Sequence, residues 1–286
     1  MSNIFEALQR SVSERAANSF TEVSSVATEL LQETVSSSNL EHCTSLAPAP
    51  LPDSRAIAIK HPGGFATEKF RVLAVRLRHL RQWRGIKKLL VTSALPGEGK
   101  TVIAVNLAST LANAQQSRVL LVEGDIRKPS IGTELGLPAI NGLSEWLQAD
   151  LPLSDVIHRI IPPGIWLLPG GKPLSNPVEL MQSGRLGVLL EQVTESFDWI
   201  IIDGTPILPV ADTSVWARLS DGILMVVRER MSERRQVRKA LEAIDHSALI
   251  GVVLNASDGE QNSYSGYYAV PTSSETRQER RLSPNH

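Results

Sequence analysis

The sequence predicts an α/β protein built on a doubly wound, mostly parallel sheet, and three observations predict it. Short apolar runs recur along the chain, segments of helical length separate them, and the runs lack polar alternation, as strands covered on both faces require. The expected strands are 89–93, 119–122, 166–168, 199–202, 223–227 and 250–254, and the expected helices 101–114, 178–194, 212–219 and 233–244. Strands alternating with helices imply parallel crossovers, and ligands of such open sheets bind at the C-terminal ends of the strands.

Composition bounds the rest. The chain has 286 residues, a net charge of −1, 42% hydrophobic and 21% charged residues, which describes one domain of ordinary size with appendages. No apolar run approaches the roughly 18 residues of a membrane-spanning helix, so a chain acting at a membrane is expected to be brought there by something else. The N-terminus, Met-Ser-Asn-Ile-Phe-Glu, has no basic segment followed by an apolar one and reads as lacking a secretory signal. The single Cys43 reads as an inert intracellular thiol. The six histidines have no metal-ligand spacing, which excludes zinc chemistry, and the charge balance argues against nucleic acid. Residues 11–60 are rich in Ser, Thr, Glu and Ala and end in Ala47-Pro-Ala-Pro-Leu-Pro52, a linker composition. Before it, Ile4, Phe5 and Leu8 share one face of a short helix that either docks a partner or caps the main domain. The expected organisation is 1–60 N-terminal segment and linker, 61–256 main domain, and 257–286 flexible tail.

The first strand runs into Ala94-Leu-Pro96-Gly97-Glu98-Gly99-Lys100-Thr101-Val102 and then a helix, the context in which a glycine-rich phosphate loop has meaning. Its amides and the helix N-terminus can wrap a polyphosphate, Lys100 can reach the β and γ phosphates, and the Thr101 hydroxyl can ligate Mg²⁺. The second strand delivers Glu123, Asp125 and Arg127, and the fourth delivers Asp203. A lone acid at a strand end is often an exposed residue or a helix cap. Three at successive strand ends behind a phosphate loop point to Mg²⁺, which needs few protein oxygens because it keeps waters and phosphate ligands. The expected catalytic set is Lys100, Glu123, Asp125 and Asp203, with Thr101 and the three acids on the metal. Pro96 to Val102, Arg127 and Asn255 are expected on the nucleotide. Asn255 has two readings, adenine recognition through its donor and acceptor pair or a structural cap.

The segments Thr92-Ser-Ala-Leu-Pro-Gly-Glu-Gly-Lys-Thr101, Asn106-Leu-Ala108, Leu120-Leu-Val-Glu-Gly-Asp-Ile-Arg-Lys-Pro129, Leu168-Pro-Gly-Gly-Lys-Pro173, Phe197-Asp-Trp-Ile-Ile-Ile-Asp203, Asp212 and Gly251-Val-Val-Leu-Asn255 resemble the cytoplasmic kinase domain of bacterial tyrosine kinases of the capsular and exopolysaccharide family. The resemblance covers about residues 61 to 256. It implies a P-loop NTPase of the deviant-Walker, partition-ATPase-like class, ATP and Mg²⁺ as cofactors, and autophosphorylation of a C-terminal tyrosine cluster. It also implies a membrane-embedded polysaccharide copolymerase as activating partner, possible homo-oligomers, and a cytoplasmic location at the inner face of the plasma membrane. The tail agrees without the analogy: Tyr264, Tyr267 and Tyr268 are the only tyrosines, all in a Ser/Gly-rich tail, and read as phosphoacceptors or as an adhesive aromatic patch.

The chain departs from the family at two places. Glu123 stands where Asp is usual, which moves the carboxylate by about 1.5 Å. The expectation is ATP binding with slowed transfer, relieved by Glu123→Asp. The family's Glu-x-x-Arg-x-x-Arg helix, used for ring assembly, appears as Glu68, Arg71 and Ala74, with Arg78 one turn further on. The surrounding stretch 69–88 is basic and reads as a subunit contact, an anionic-surface contact or a solvated face. Two rival functions are a positioning ATPase, which carries an extra lysine near the start of its loop where this chain has Leu95, Pro96 and Gly97, and a nucleotide-binding adaptor without catalysis.

Overall fold

The computed structural model describes residues 42–115, 117–149 and 151–256. The short helix expected near Ile4 and the tail tyrosines Tyr264, Tyr267 and Tyr268 lie outside the described residues. In chain order the elements are β1 (Ser45–Leu46), α1 (Ile57–Lys60), α2 (Phe65–Arg84), β2 (Lys88–Ser93), α3 (Lys100–Gln115), β3 (Val119–Glu123), α4 (Ile131–Leu135), α5 (Leu143–Gln148) and α6 (Leu153–Val156). They continue with β4 (His158–Ile160), β5 (Ile165–Leu168), α7 (Val178–Gln182), α8 (Arg185–Thr194), β6 (Trp199–Asp203), α9 (Asp212–Leu219), β7 (Gly222–Arg228), α10 (Arg234–Glu242) and β8 (Leu249–Asn255).

The strands form one sheet in the order β1-β4-β5-β3-β6-β2-β7-β8. Every pairing is parallel except the β4–β5 hairpin, so the expected mostly parallel, doubly wound sheet is what forms. The two faces are visible in the side-chain alternation of the central strands. Leu89, Val91, Val119, Leu121, Trp199 and Ile201 pack under α2 and α3, whereas Leu90, Leu120, Val122, Ile200 and Ile202 pack under α5, α8 and α9. Both sets are buried, which is why the sequence shows continuous apolar runs there.

Two expectations about secondary structure are corrected. The helix expected over 178–194 is two helices, because Ser183 and Gly184 interrupt it and Gly184 turns the chain at φ +83. The linker expected up to residue 60 is a packed strap from Cys43 onward. β1 pairs with β4, Ala56 and Ala58 are buried, and the Ser54 hydroxyl and the Arg55 N–H both donate to Glu134. Asn106 on α3 holds the strap from below: its Oδ1 accepts from the Ala58 N–H at 2.7 Å, and its Nδ2 donates to the carbonyls of Arg55 at 2.8 Å and Val102 at 2.7 Å. Asn106→Ala would leave those buried groups unpaired, at a cost of about 2 kcal/mol. Limited proteolysis should then cut between residues 43 and 60 at least tenfold faster than in the parent; an unchanged cutting rate would mean that Asn106 does not hold the strap. Cys43 is itself buried, and burial pushes its thiol up from the ordinary range, as an unreactive cysteine requires.

Candidate active site

The phosphate loop is where β2 hands over to α3. Gly97 and Gly99 have φ of +80 and +97, conformations that L side chains rarely adopt. At Gly99 a Cβ would also stand 2.1 Å from Asn255 Nδ2, so the position is closed to any other residue. The loop is braced from within and from the ends of β7 and β8. Buried Glu98 accepts the Leu95 N–H at 2.7 Å on Oε2 and the Ser232 hydroxyl on Oε1. Arg228 Nη1 donates to the Gly97 carbonyl at 3.1 Å, and Asn255 Nδ2 donates to the Glu98 carbonyl at 2.9 Å. The side chain of Glu98 is therefore a strut. Asn255 is one too, since its Oδ1 accepts the Ala256 N–H at 2.9 Å. Ser232 carries no sequence signal, because its partner lies 134 residues away.

Beside the loop a cleft of about 570 Å³ opens between the start of α3, the ends of β7 and β8, and α2. Val102 of α3, Arg228, Asn255 and Ala256 at the ends of β7 and β8, and Lys69, Val72 and Arg76 of α2 line it. A largely apolar recess of this size next to a phosphate loop suits a nucleoside. Losing the Asn255 strut should cost nucleotide affinity: Asn255→Ala is expected to raise the Kd for ATP about tenfold, read by calorimetry, because one partly buried hydrogen bond holding the loop is lost. An unchanged Kd would show that the loop holds its shape without it.

The acids sort into different jobs. Asp203 ends β6, in register with Val91 on β2 and Glu123 on β3. It is buried, and neither carboxylate oxygen makes a hydrogen bond of ordinary geometry. Burial pushes its pKa up from 3.8 to about 7; the Lys100 charge and the nearby Thr101 hydroxyl oppose the shift, while the charges of Glu123 and Asp125 add to it. Two orphaned oxygens next to Lys100 and Thr101 are what a divalent cation would satisfy, so the residues present fit Mg²⁺ held by Thr101 and Asp203. Among the described residues no three His, Cys, Asp or Glu side chains gather into a cage of their own. A Mg²⁺ that arrives with its nucleotide needs no such cage, because phosphate oxygens and water complete its shell.

Asp125 is half-buried and accepts the Lys128 N–H at 3.1 Å. Burial raises its pKa, with the Lys100 charge opposing. Glu123 is different. Its Oε1 accepts from the amides of Ser130 and Ile131, the latter at 2.7 Å, and its Oε2 accepts from Gly170 at 2.8 Å. With three backbone amides on a buried carboxylate, Glu123 clamps the loop after β3 to the loop after β5, which sets it apart from the unpartnered Asp203. Arg127, expected on the nucleotide, is held by partners within the chain. It forms a two-point bridge to buried Asp212, Nε to Oδ2 at 2.7 Å and Nη2 to Oδ1 at 3.0 Å, and donates Nη1 to the Ser175 carbonyl at 2.9 Å. The bridge ties the Asp125 loop to the first turn of α9. Gly124 closes the same corner: its N–H donates to the Asp203 carbonyl at 2.8 Å, and its carbonyl accepts from Trp216 Nε1 at 3.1 Å. Ser130, not singled out in the sequence, brings its hydroxyl within 3.4 Å of Thr101 Oγ1.

On α2, Glu68 and Arg71 pair at 2.6 Å, and Arg71 also donates to the Pro62 carbonyl. Ala74 is buried against the core, so the third position of the helical motif faces inward. Arg78, one turn on, has buried Nε and Nη2 atoms without a hydrogen-bond partner.

A phosphate loop at the end of one strand, a metal-ready carboxylate at the end of its neighbour and a second acid on the loop beyond define a P-loop nucleotide-binding domain. Residues 87–246, more than half of the chain, match the family model described as an AAA domain. The chain is 31% identical over 216 residues to the tyrosine-protein kinase YwqD of Bacillus subtilis, covering 75% of this chain and 91% of that protein. It is 32% identical over 213 residues to the putative tyrosine-protein kinase EpsB of Ralstonia nicotianae, of which it spans only 28%. Among solved structures, the chimerical protein CapA2B2 superposes with a TM-score of 0.66 at 29% identity, over 76% of this chain and 95% of that one. The chain belongs to the bacterial tyrosine kinase family of capsular and exopolysaccharide biosynthesis.

Proposed function

We propose that the protein is an ATP-dependent protein-tyrosine kinase that phosphorylates tyrosines of its own C-terminal segment. The observation that carries the proposal is the pair of orphaned, buried oxygens of Asp203 beside Lys100 and Thr101, on a domain whose relatives are named tyrosine-protein kinases. The loop amides around Gly97 and Gly99 hold the β-phosphate, and the recess lined by Val102 and Asn255 takes the nucleoside. Lys100 neutralises charge on the γ-phosphoryl group, and Mg²⁺, when bound at Thr101 and Asp203, adds electrostatic stabilisation of the transferred group. A tyrosine hydroxyl attacks the γ-phosphorus, the bond to the ADP oxygen breaks, and the phenolic proton passes to a carboxylate. Asp125 is the residue suited to accept that proton, because Glu123 has no free oxygen, whereas Asp125 is half-buried with an upward-shifted pKa that favours proton acceptance.

Tyr264, Tyr267 and Tyr268 are the proposed acceptors. Their attachment close to Asn255, at the rim of the site, lets the first of them reach the phosphate loop of the same or a neighbouring subunit. The activity is proposed to regulate polysaccharide synthesis or export at the inner face of the plasma membrane, with a membrane-embedded copolymerase as activator. Among the described residues no helix is long and apolar enough to cross a membrane. Incubation with Mg²⁺ and labelled ATP, followed by mass mapping, tests the proposal. Phosphate is expected on the three tyrosines, and Lys100→Met should lower its transfer at least about 100-fold, because the donor aimed at the γ-phosphoryl charge is gone. ATP hydrolysis without tyrosine labelling would favour the positioning-ATPase reading, and nucleotide binding alone would favour the adaptor.

A further inference from the structure

Helix α2 carries two seams. The inward one, Ala74 and Leu77 with Phe70, Leu73 and Leu80, packs on the core. The outward one is Phe65, Lys69, Val72, Arg76, His79 and Trp83, whose alternating spacing of four and three aligns them along a helix of 20 residues, about 30 Å long. Trp83 is 79% exposed, Val72 49%, and Val75 at the stripe's margin 60%. Of the chain's five tryptophans, Trp146, Trp199 and Trp216 are buried and Trp166 is half-buried, so Trp83 is the one left in water. The helix has six lysines and arginines against one acid, Glu68, which is already paired with Arg71. The chain as a whole has a net charge of −1, so the rest of it is net negative; α2 is one of two basic helices, the other being α10 with Arg234, Arg235, Arg238 and Lys239. Val252 and Leu254 of the edge strand β8, also more than half exposed, extend the apolar surface across the rim of the cleft.

We propose that the outward seam of α2 is a docking surface for an anionic phospholipid bilayer, with the helix lying in the plane of the headgroups. Charge complementarity selects the occupant. The seam interleaves Lys69 and Arg76 with apolar side chains and contains no acid, so an acidic surface is called for, and two copies packed seam to seam would oppose like charges. A bilayer of anionic lipid meets both components at once: the apolar side chains and the indole enter the headgroup region, while long cationic side chains reach the phosphates beside them. Docking of this kind needs neither nucleotide nor tyrosine; because Lys69, Val72 and Arg76 also line the cleft given to the nucleoside, vesicle binding is measured without nucleotide, so that its failure is distinct from a failure of the kinase reading.

The test uses the full chain with vesicles of phosphatidylcholine alone and of phosphatidylcholine mixed equally with phosphatidylglycerol. Flotation should show at least about tenfold stronger binding to the anionic vesicles, weakening as salt screens the attraction. Tryptophan emission should shift to the blue and lose part of its iodide quenching on binding, and Trp83→Phe should abolish that spectral change. Val75→Ser/Trp83→Ser and Lys69→Glu/Arg76→Glu should each lower vesicle binding about tenfold or more; these side chains are exposed, so both variants are expected to melt like the parent. The spectral change in the unaltered chain is a second readout that needs no variant. Equal binding to both vesicle types, binding with Trp83 still open to iodide, or binding that survives both double variants would each overturn the proposal. So would vesicles being ignored while the seam instead pairs copies of the chain or holds an acidic protein.

Discussion

Replacing Asp203 with Asn is expected to stabilise the nucleotide-free protein at pH 8 while removing Mg²⁺-dependent nucleotide binding. The sign follows from the carboxyl's pKa, raised in the folded protein from 3.8 to about 7. Between those values the folded protein holds a proton that the unfolded chain has released. The stability that this carboxyl contributes is therefore full below about pH 4 and is lost as the pH rises through 7, by about 4 kcal/mol in all. Asparagine escapes the charge penalty but leaves a neutral amide without partners, which costs about 1–3 kcal/mol. The net gain at pH 8 should be about 1–3 kcal/mol, or roughly 2–12 °C in Tm for a domain of this size, and it should reverse near pH 4, where only the cost of the amide remains. Metal and proton compete for the same oxygens, so Mg²⁺-dependent ATP affinity in the parent should fall about tenfold per pH unit below 7. Calorimetric melts across pH 4–8 and ATP titrations with and without Mg²⁺ check both halves. An Asn variant that melts below the parent at pH 8 would mean that the oxygens of Asp203 are already satisfied by the protein.

The contrast between Asp203 and Glu123 shows what a sequence can and cannot say about such a site. The strands that carry the two acids are legible because Val119–Glu123 and Trp199–Asp203 are buried on both faces and so are apolar throughout. The phosphate loop is legible because its spacing is local: two glycines with positive φ, a lysine and a threonine within five positions. Both acids stand at equivalent strand ends, and nothing local separates them. What separates them is supplied from a distance. The amides of Ser130, Ile131 and Gly170 engage both oxygens of Glu123, and neither oxygen of Asp203 makes a hydrogen bond of ordinary geometry. Arg127 is diverted in the same way by Asp212, 85 residues away. The strap escapes a reading of the sequence for a related reason. Its composition is that of a linker, and what orders it is a two-strand pairing with β4 and the side chains of Asn106 and Glu134, roughly 50 and 80 residues distant. Backbone amides and remote polar partners leave no periodicity, so the apolar pattern locates the site without assigning its polar atoms.

Glu123→Asp is expected to lower both stability and phosphotransfer, the reverse of what the family's usual aspartate suggests. The clamp needs reach. One oxygen meets Ser130 and Ile131 on the loop after β3, and the other meets Gly170 after β5. A carboxylate withdrawn by about 1.5 Å can keep one side only, leaving at least one buried amide unpaired. Alanine removes all three bonds and should cost about 3 kcal/mol or more, roughly 6–12 °C in Tm; aspartate should fall between alanine and the parent. Gln keeps the length but presents an NH₂ group to one set of N–H donors, so it should resemble Asp in stability. Phosphotransfer should fall in the same order, because the loop being clamped also carries Asp125, the proposed proton acceptor, and Ser130, which adjoins Thr101. ATP affinity should change less, since none of the clamped amides belongs to the phosphate loop. Thermal melts beside single-turnover phosphotransfer separate the two roles open to Glu123: a clamp makes activity track stability across Asp, Gln and Ala. A metal ligand would instead let Asp match or exceed the parent in turnover whatever it does to the melt, and that result would return Glu123 to the Mg²⁺.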